Sequence, residues 1–389
     1  MYPAKIMKNL VYLFILILVM SSCLKHKANH TVNENIINIQ LDNMPYFIKP
    51  DTVFSDITYI PLETTDESVF YNIDKISYHN DRFYILDRKQ AAILVFEKTG
   101  KYVKKLARTG QGPSEYLSLE DFFIKDDLLY ILSSSLKKII IYNDAFEFEK
   151  DYSIGTFATN IQCMDNYIFV YSNFSANDFK NIYVVDINTG KTFKKYVDFH
   201  EKQKGVRYRT SGFAKDRDSL YITFPYEYSI YRMKPDGYSE FYTVDFGKEY
   251  MYPPQWSKLS DDERTEKQSA LYADFFNLPV SSIDNLNISD KYIAFTFVHR
   301  VFQHKFILNR NTGHFSVGYI IASEQYPFTD GEFLGMIDDK LIISVHSDRI
   351  LENFEIFKKN NHKLNPNTSF VDRLDPEDNP VICIYTLNY

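Results

Sequence analysis

What this chain lacks narrows its chemistry first. It has one Trp and three Cys in 389 residues, and its formal charge is −7. No extended Lys/Arg run interrupts that acidic balance, which argues against phosphate-backbone binding, so no nucleic-acid partner is expected. Neither His-Glu-x-x-His nor Cys-x-x-Cys occurs, so a zinc centre is not expected either. His299 and His304 are five apart on one strand-like run, a spacing that sends them to opposite faces. Gly110-Gln111-Gly112-Pro113 lacks the Lys-Ser/Thr ending and the following helix of a phosphate loop, and reads better as a structural turn. No arrangement of nucleophile, base and acid stands out, so the chain does not read as an enzyme.

The apolar run Leu10–Met20 is also too short to span a bilayer, which takes about 20 residues. It follows Lys5 and Lys8 and precedes Ser21, Ser22 and Cys23, the order of a secretory signal. Met20-Ser21-Ser22-Cys23 resembles a bacterial lipobox, which would make residues 1–22 a signal peptide and Cys23 the acylated N-terminus. An ordinary signal peptide with an incidental cysteine is the competing reading. Losing Lys5 and Lys8 takes the formal charge from −7 to −9. Residues 23–50 are expected to be anchor and tether, and 51–389 the folded domain. The run Leu24-Lys25-His26-Lys27 is basic, whereas an acidic run after the cysteine resembles a surface-export signal in Bacteroidetes lipoproteins. An outer-membrane anchor facing the periplasm is therefore expected. Cys163 and Cys383 lie in separate apolar runs and read as buried free thiols rather than a disulfide.

What is abundant is aromatic: 31 Tyr and 32 Phe, suited to pleated β surfaces. One phrase recurs six times, turn residues followed by an apolar-aromatic strand. It begins at Asn80, Asp126, Asp165, Asp218, Ser289 and Asp338. All but the last copy are followed by two β-rich runs flanking a tight turn, such as Lys98-Thr99-Gly100 or Asn188-Thr189-Gly190. Four antiparallel strands repeated every 40–50 residues or so describe a propeller blade. The expected fold is therefore all-β, a six-bladed β-propeller with four-stranded blades. The sixth unit lacks a strand, and Val53–Leu62 is a spare one; pairing them would close the ring and remove two edges.

Tyr59-Ile60-Pro61-Leu62-Glu63-Thr64, Phe96-Glu97-Lys98-Thr99-Gly100-Lys101 and Gly110-Gln111-Gly112-Pro113-Ser114-Glu115-Tyr116 resemble the six-bladed β-propeller lipoproteins of Bacteroidetes. Ser114 departs from the glycine usual there. The resemblance covers most of the domain and implies the same fold and anchor, with NHL-type and TolB-type relatives serving as binding platforms.

Calling the strands of a blade A to D from axis to rim, A–B and C–D turns share one side of the disc; B–C and D–A links share the other. The long segments, including 107–118, 173–180, 246–280 and 347–380, all belong to the second class, where binding residues are expected. In 246–280, Ser260 and Glu263 suggest a capped helix with a stripe of Leu271, Phe275 and Phe276, either a cover for the blade 4–5 seam or a lid over the mouth. Candidate ligand contacts at the mouth are Arg108, Gln111, Glu115, Tyr116, Tyr252 and Trp256. Arg207 and Arg209 share a face of the fourth inner strand and could meet an anion or pair with acids of the next blade. Glu120, Asp121, Asn160, Asp284, Asn285, Asp330 and Glu332 are oxygen donors that could hold calcium in the channel, or simply be solvated turn residues.

The reading that follows is a non-enzymatic binding or scaffolding propeller without a cofactor, engaging a glycan, peptide or partner protein and held to the membrane by lipid. The alternative is a calcium-dependent hydrolase or lyase.

Overall fold

The computed structural model describes residues 31–33, 35–49, 53–205, 212–271, 278–321, 331–360 and 366–388. Six four-stranded antiparallel sheets stand around an axis. Blade 1 comprises Lys75–His79, Arg82–Asp87, Ala92–Glu97 and Tyr102–Leu106. Blades 2 to 5 begin on the inner strands Asp121–Lys125, Asn160–Met164, Ala214–Asp216 and Asp284–Ile288. Blade 6 is built from Glu332–Ile337, Lys340–Val345 and Val381–Leu387, and its outer strand is Phe54–Pro61 from the other end of the domain. That strand pairs antiparallel with Val381–Leu387, from Val381 opposite Pro61 to Leu387 opposite Phe54, so the expected closure is present.

The recurring phrase works because of its first two residues. Asn80-Asp81, Asp126-Asp127 and Asp338-Asp339 all have φ between 46° and 62°, the left-handed pair that a two-residue hairpin needs. Asn and Asp tolerate that region better than other side-chain-bearing residues. The strand that follows is apolar on both sides, because a blade's second strand is covered by both neighbouring blades. In Arg82–Asp87, Phe83 and Ile85 enter the seam with blade 6, while Tyr84 and Leu86 enter the seam with blade 2. Six separate apolar clusters result, one per seam. Cys163 and Cys383 are buried free thiols in two of them.

The N-terminal boundary differs from expectation. Within the stretch assigned to the tether, Ile36–Asn38 pairs parallel with the outer strand of blade 4, and Thr31–Asn33 adds beyond it. Ile37, Ile39 and Leu41 are buried in the blade 4–5 seam. Their strict alternation is the pattern of a half-buried edge strand. Phe47–Ile48 pairs parallel with Ile320–Ile321 at blade 5.

The long connections fall in the expected class. The link after blade 4 carries the helix Asp261–Leu271, capped as expected: Ser260 Oγ accepts from the Glu263 amide at 3.2 Å, and the Glu263 carboxylate accepts from the Ser260 amide at 2.9 Å. Phe275 and Phe276, with the Leu271 side chain, lie outside the described residues. The B–C link of blade 6 holds a second helix, Ser347–Lys359, which buries Ile350, Phe354 and Phe357. Blade 5 is the exception. Its B–C connection is only Arg300-Val301, both at positive φ, so Tyr292–His299 and Phe302–Asn309 form one long hairpin. His299 and His304 therefore lie on opposite arms and the same side, with ring centroids 6.1 Å apart, not on opposite faces.

Candidate functional site

Two concave features arise from this architecture. The first is the axial channel, a polar cavity of about 710 Å³ lined by the inner strands. Lys75, Asp121 and Asn160 occupy the same position in blades 1, 2 and 3, five residues before the first turn residue of each phrase. In blade 4 that position is Gly212, whose missing Cβ makes room for Asn160: a β-carbon there would meet Asn160 Nδ2 at 2.4 Å.

Asp121 is the most constrained group in the channel. Its Oδ1 accepts from Lys75 Nζ at 2.7 Å and from the Phe122 amide at 2.9 Å, and its Oδ2 accepts from the Ile161 amide at 2.8 Å. One buried carboxylate thus joins blades 1, 2 and 3, and its charge is matched by a lysine and two amides. Around it stand Arg88, Gln162, Lys215, Asn287 and Glu332. Lys215 donates to the Cys163 sulfur at 3.4 Å, and Arg88 lies 3.5 Å from Asp74.

Of the oxygen donors considered for calcium, Asp121, Asn160, Asn285 and Glu332 line this channel. Asp284 is the partner of Ser282, at 2.8 Å. Glu120 is turned into its own blade, where it accepts from the Ser134 amide at 2.7 Å, and burial raises its pKa. Asp330 lies outside the described residues, as do Cys23, Arg207 and Arg209. Among the described residues no three His, Cys, Asp or Glu side chains gather in a way that could hold a metal. Asp121 already accepts from three donors, one of them the Lys75 ammonium.

The residues singled out around the Gly-Gln-Gly-Pro turn are drawn together, but away from the channel lining. Tyr116 is fully buried in the seam of blades 1 and 2, its hydroxyl donating to the Ala91 carbonyl at 2.9 Å and accepting from the Arg108 amide at 3.1 Å. Burial pushes its pKa up to about 12. Glu115 folds back to accept from the Gly112 amide at 2.8 Å, and Tyr142 donates to the Ser114 carbonyl at 2.8 Å. The Arg108 guanidinium lies over the Tyr142 ring, 5.7 Å from its centre. Gln111 is exposed on the same turn. This loop is a seam lock.

The second concavity is a cleft of about 940 Å³ on blade 4, lined by Tyr226, Tyr228, Tyr231, Tyr252 and the Pro253-Pro254 pair. Tyr252 belongs to it, while Trp256 packs beneath, 4.6 Å from the Tyr252 ring. Glu227 accepts from the Tyr231 hydroxyl at 2.7 Å, and burial raises its pKa. Arg264, from the capped helix, is buried 5.3 Å from the Tyr226 ring centre; desolvation lowers its pKa to about 10. Sequence reasoning set Tyr252 and Trp256 at the central mouth; it missed Tyr226 and Glu227, which sit in the short B–C link 223–228, and Tyr231 on the strand Ser229–Lys234 that follows. It also missed Lys75, Arg88 and Lys215, although counting back from each turn pair would have placed Lys75 beside Asp121.

Sheet count, closure and channel together define a six-bladed β-propeller. The chain belongs to the family described as a domain of unknown function, DUF4934, whose model matches residues 34–386. No curated protein matches it. Among solved structures it is similar to a Bacteroides fragilis protein described as exported, at 16% identity and a TM-score of 0.71, covering 91% of this chain and 100% of that one. A DUF4221-family member from Bacteroides vulgatus follows at 13% identity and a TM-score of 0.49, covering 87% and 99%. Virginiamycin B lyase from Staphylococcus aureus is more distant, at 12% identity and a TM-score of 0.42, covering 74% and 81%. At these identities the first of these likenesses speaks for the fold alone, and the other two add nothing to it.

Proposed function

We propose that this protein is an exported, lipid-anchored binding propeller that engages a polypeptide partner through its B–C and D–A connections. The observation that carries the reading is the placement of exposed apolar side chains. Among the described residues, ten of fourteen large exposed hydrophobics lie on or against those connections. The A–B turns instead carry acids: Asp81, Asp126, Asp127, Asp165, Asp338 and Asp339. Apolar groups left in water on one side of a rigid disc are characteristic of an interaction surface.

Val69, Tyr71, Leu117, Phe157 and Ile356 spread over blades 6, 1 and 2, a broad scatter that suits a macromolecule better than a small ligand. Tyr71 adjoins the channel mouth, with Lys89 Nζ 3.5 Å from its ring centre. Membrane attachment rests on acylation of Cys23, and the basic Lys25-His26-Lys27 that follows favours the periplasmic side of the outer membrane. The exported description of the Bacteroides fragilis relative is in keeping with secretion.

The test compares two triple variants in pull-downs from cell-envelope extract of the producing bacterium. Glutamate at Tyr71, Leu117 and Phe157 should abolish capture of a polypeptide that glutamate at Phe148, Phe193 and Tyr238 leaves intact. Equal capture by both would sink the reading.

A further inference from the structure

The other five of those ten exposed hydrophobics form one contiguous cluster at blade 5. Val298, Val301 and Phe302 crown the long hairpin, with Val301 55% exposed. Phe302 packs on Tyr319 at 4.6 Å between centroids, Tyr319 on Tyr46 at 5.2 Å, and Tyr46 on Phe47 at 4.8 Å. Tyr46 and Phe47 are themselves 50% and 53% exposed. These rings meet edge-on or tilted, and Tyr46, Phe47 and Phe302 keep two-fifths to a half of their surface in water.

The same part of the molecule receives the N-terminal segment. Thr31 pairs with Asn38, and Asn38 lies beside Asp245 at the D–A end of blade 4. Four residues on, Asp42 accepts from the Tyr250 hydroxyl, and the Tyr250 ring lies 5.2 Å from His299, the last strand residue before the hairpin turn. Only seven residues, eight Cα steps, separate Cys23 from Thr31. Fully extended they span no more than about 28 Å.

We infer that the blade 5 hairpin tip, with Tyr46 and Phe47, docks into the surface of the phospholipid bilayer that holds the lipid anchor. The inference rests on acylation of Cys23, which brings the bilayer within tether reach of this edge. Its chemistry is that of an interfacial contact: aliphatic side chains enter the acyl boundary, tyrosines sit at the headgroups, and the acidic A–B turns point away. Burying apolar surface on lipid is favourable without any specific partner. The disc then stands with blades 4 and 5 toward the membrane and blades 1 and 2 toward the periplasm, which leaves Tyr71, Leu117 and Phe157 accessible.

The test uses the full acylated chain in phosphatidylethanolamine–phosphatidylglycerol vesicles. Cys163 and Cys383 are buried, so a polarity-sensitive thiol dye reports only an introduced cysteine. Dye at Val301→Cys should shift to the blue, and a bilayer-borne quencher should quench it several-fold more than dye at Phe193→Cys, an equally exposed position on blade 3. Phe302→Cys serves as a second tip position if Val301→Cys fails to fold. Equal quenching on vesicle-bound protein would overturn the docking while leaving the anchor intact; it is also the result expected if a second copy or a partner protein covered the tip. Wild-type protein that stays in the aqueous phase with Cys23 unmodified would overturn both.

Discussion

Gly100 adopts φ +89° in the C–D turn of blade 1, and a β-carbon there would fall 2.0 Å from the Pro61 carbonyl oxygen of the closing strand. Backbone meets backbone at that point, so no side chain can swing aside. Gly100→Ala should therefore lower stability by roughly 2 kcal/mol or more, read from the urea midpoint. Tyr116→Phe removes one buried hydroxyl and leaves the Ala91 carbonyl and Arg108 amide without it, at a cost of about 1–3 kcal/mol by the same measurement. The histidine pair makes a prediction in pH. Burial holds His299 and His304 near pKa 4, and the charges of Arg300 and of the neighbouring ring add to it. Below about 6.5 the unfolded chain takes up protons that these folded side chains refuse. The stability they contribute is complete above that pH and is lost as pH falls toward 4. Denaturation midpoints of wild type and His304→Leu should accordingly converge or cross between pH 7.5 and 5, and parallel curves would contradict the assignment.

At the scale of elements, the closing strand makes the sharpest prediction. Deleting residues 54–61 strips blade 6 of its outer strand and exposes the edge of Val381–Leu387, so cooperative unfolding should disappear in calorimetry. This strand was legible in the sequence, because a lone apolar run before the first repeat and a missing strand in the last are complementary facts. The repeats were legible for a similar reason: two acidic or amide residues at positive φ are a local requirement, visible without the fold. The edge strand Ile36–Asn38 went unread although Ile37, Ile39 and Leu41 alternate, since a three-residue strand beside a polar tether carries little signal. Site residues were the least legible. Tyr116 looked like a mouth residue because its link leads into an inner strand, yet the hydroxyl's partners, Ala91 and Leu106, are 25 and 10 positions away. Asp121 looked like a cation ligand because nothing local shows that Lys75 reaches it from the preceding blade.

For the whole molecule, the prediction concerns the proposed lipid anchor. Cys23→Ala should move the protein from the membrane to the soluble fraction while its circular dichroism stays unchanged, since residue 23 precedes every described strand. Among the described residues no helix is long and apolar enough to cross a membrane.

The union of Phe54–Pro61 with Val381–Leu387 also sets an order of events during biogenesis. The first long strand to be made must wait for the last before its hydrogen-bonding partners exist. Any chain that stops short of that strand keeps two raw margins and stays open to proteases. The seam thus ties formation of the whole ring to the arrival of one late strand, Val381–Leu387.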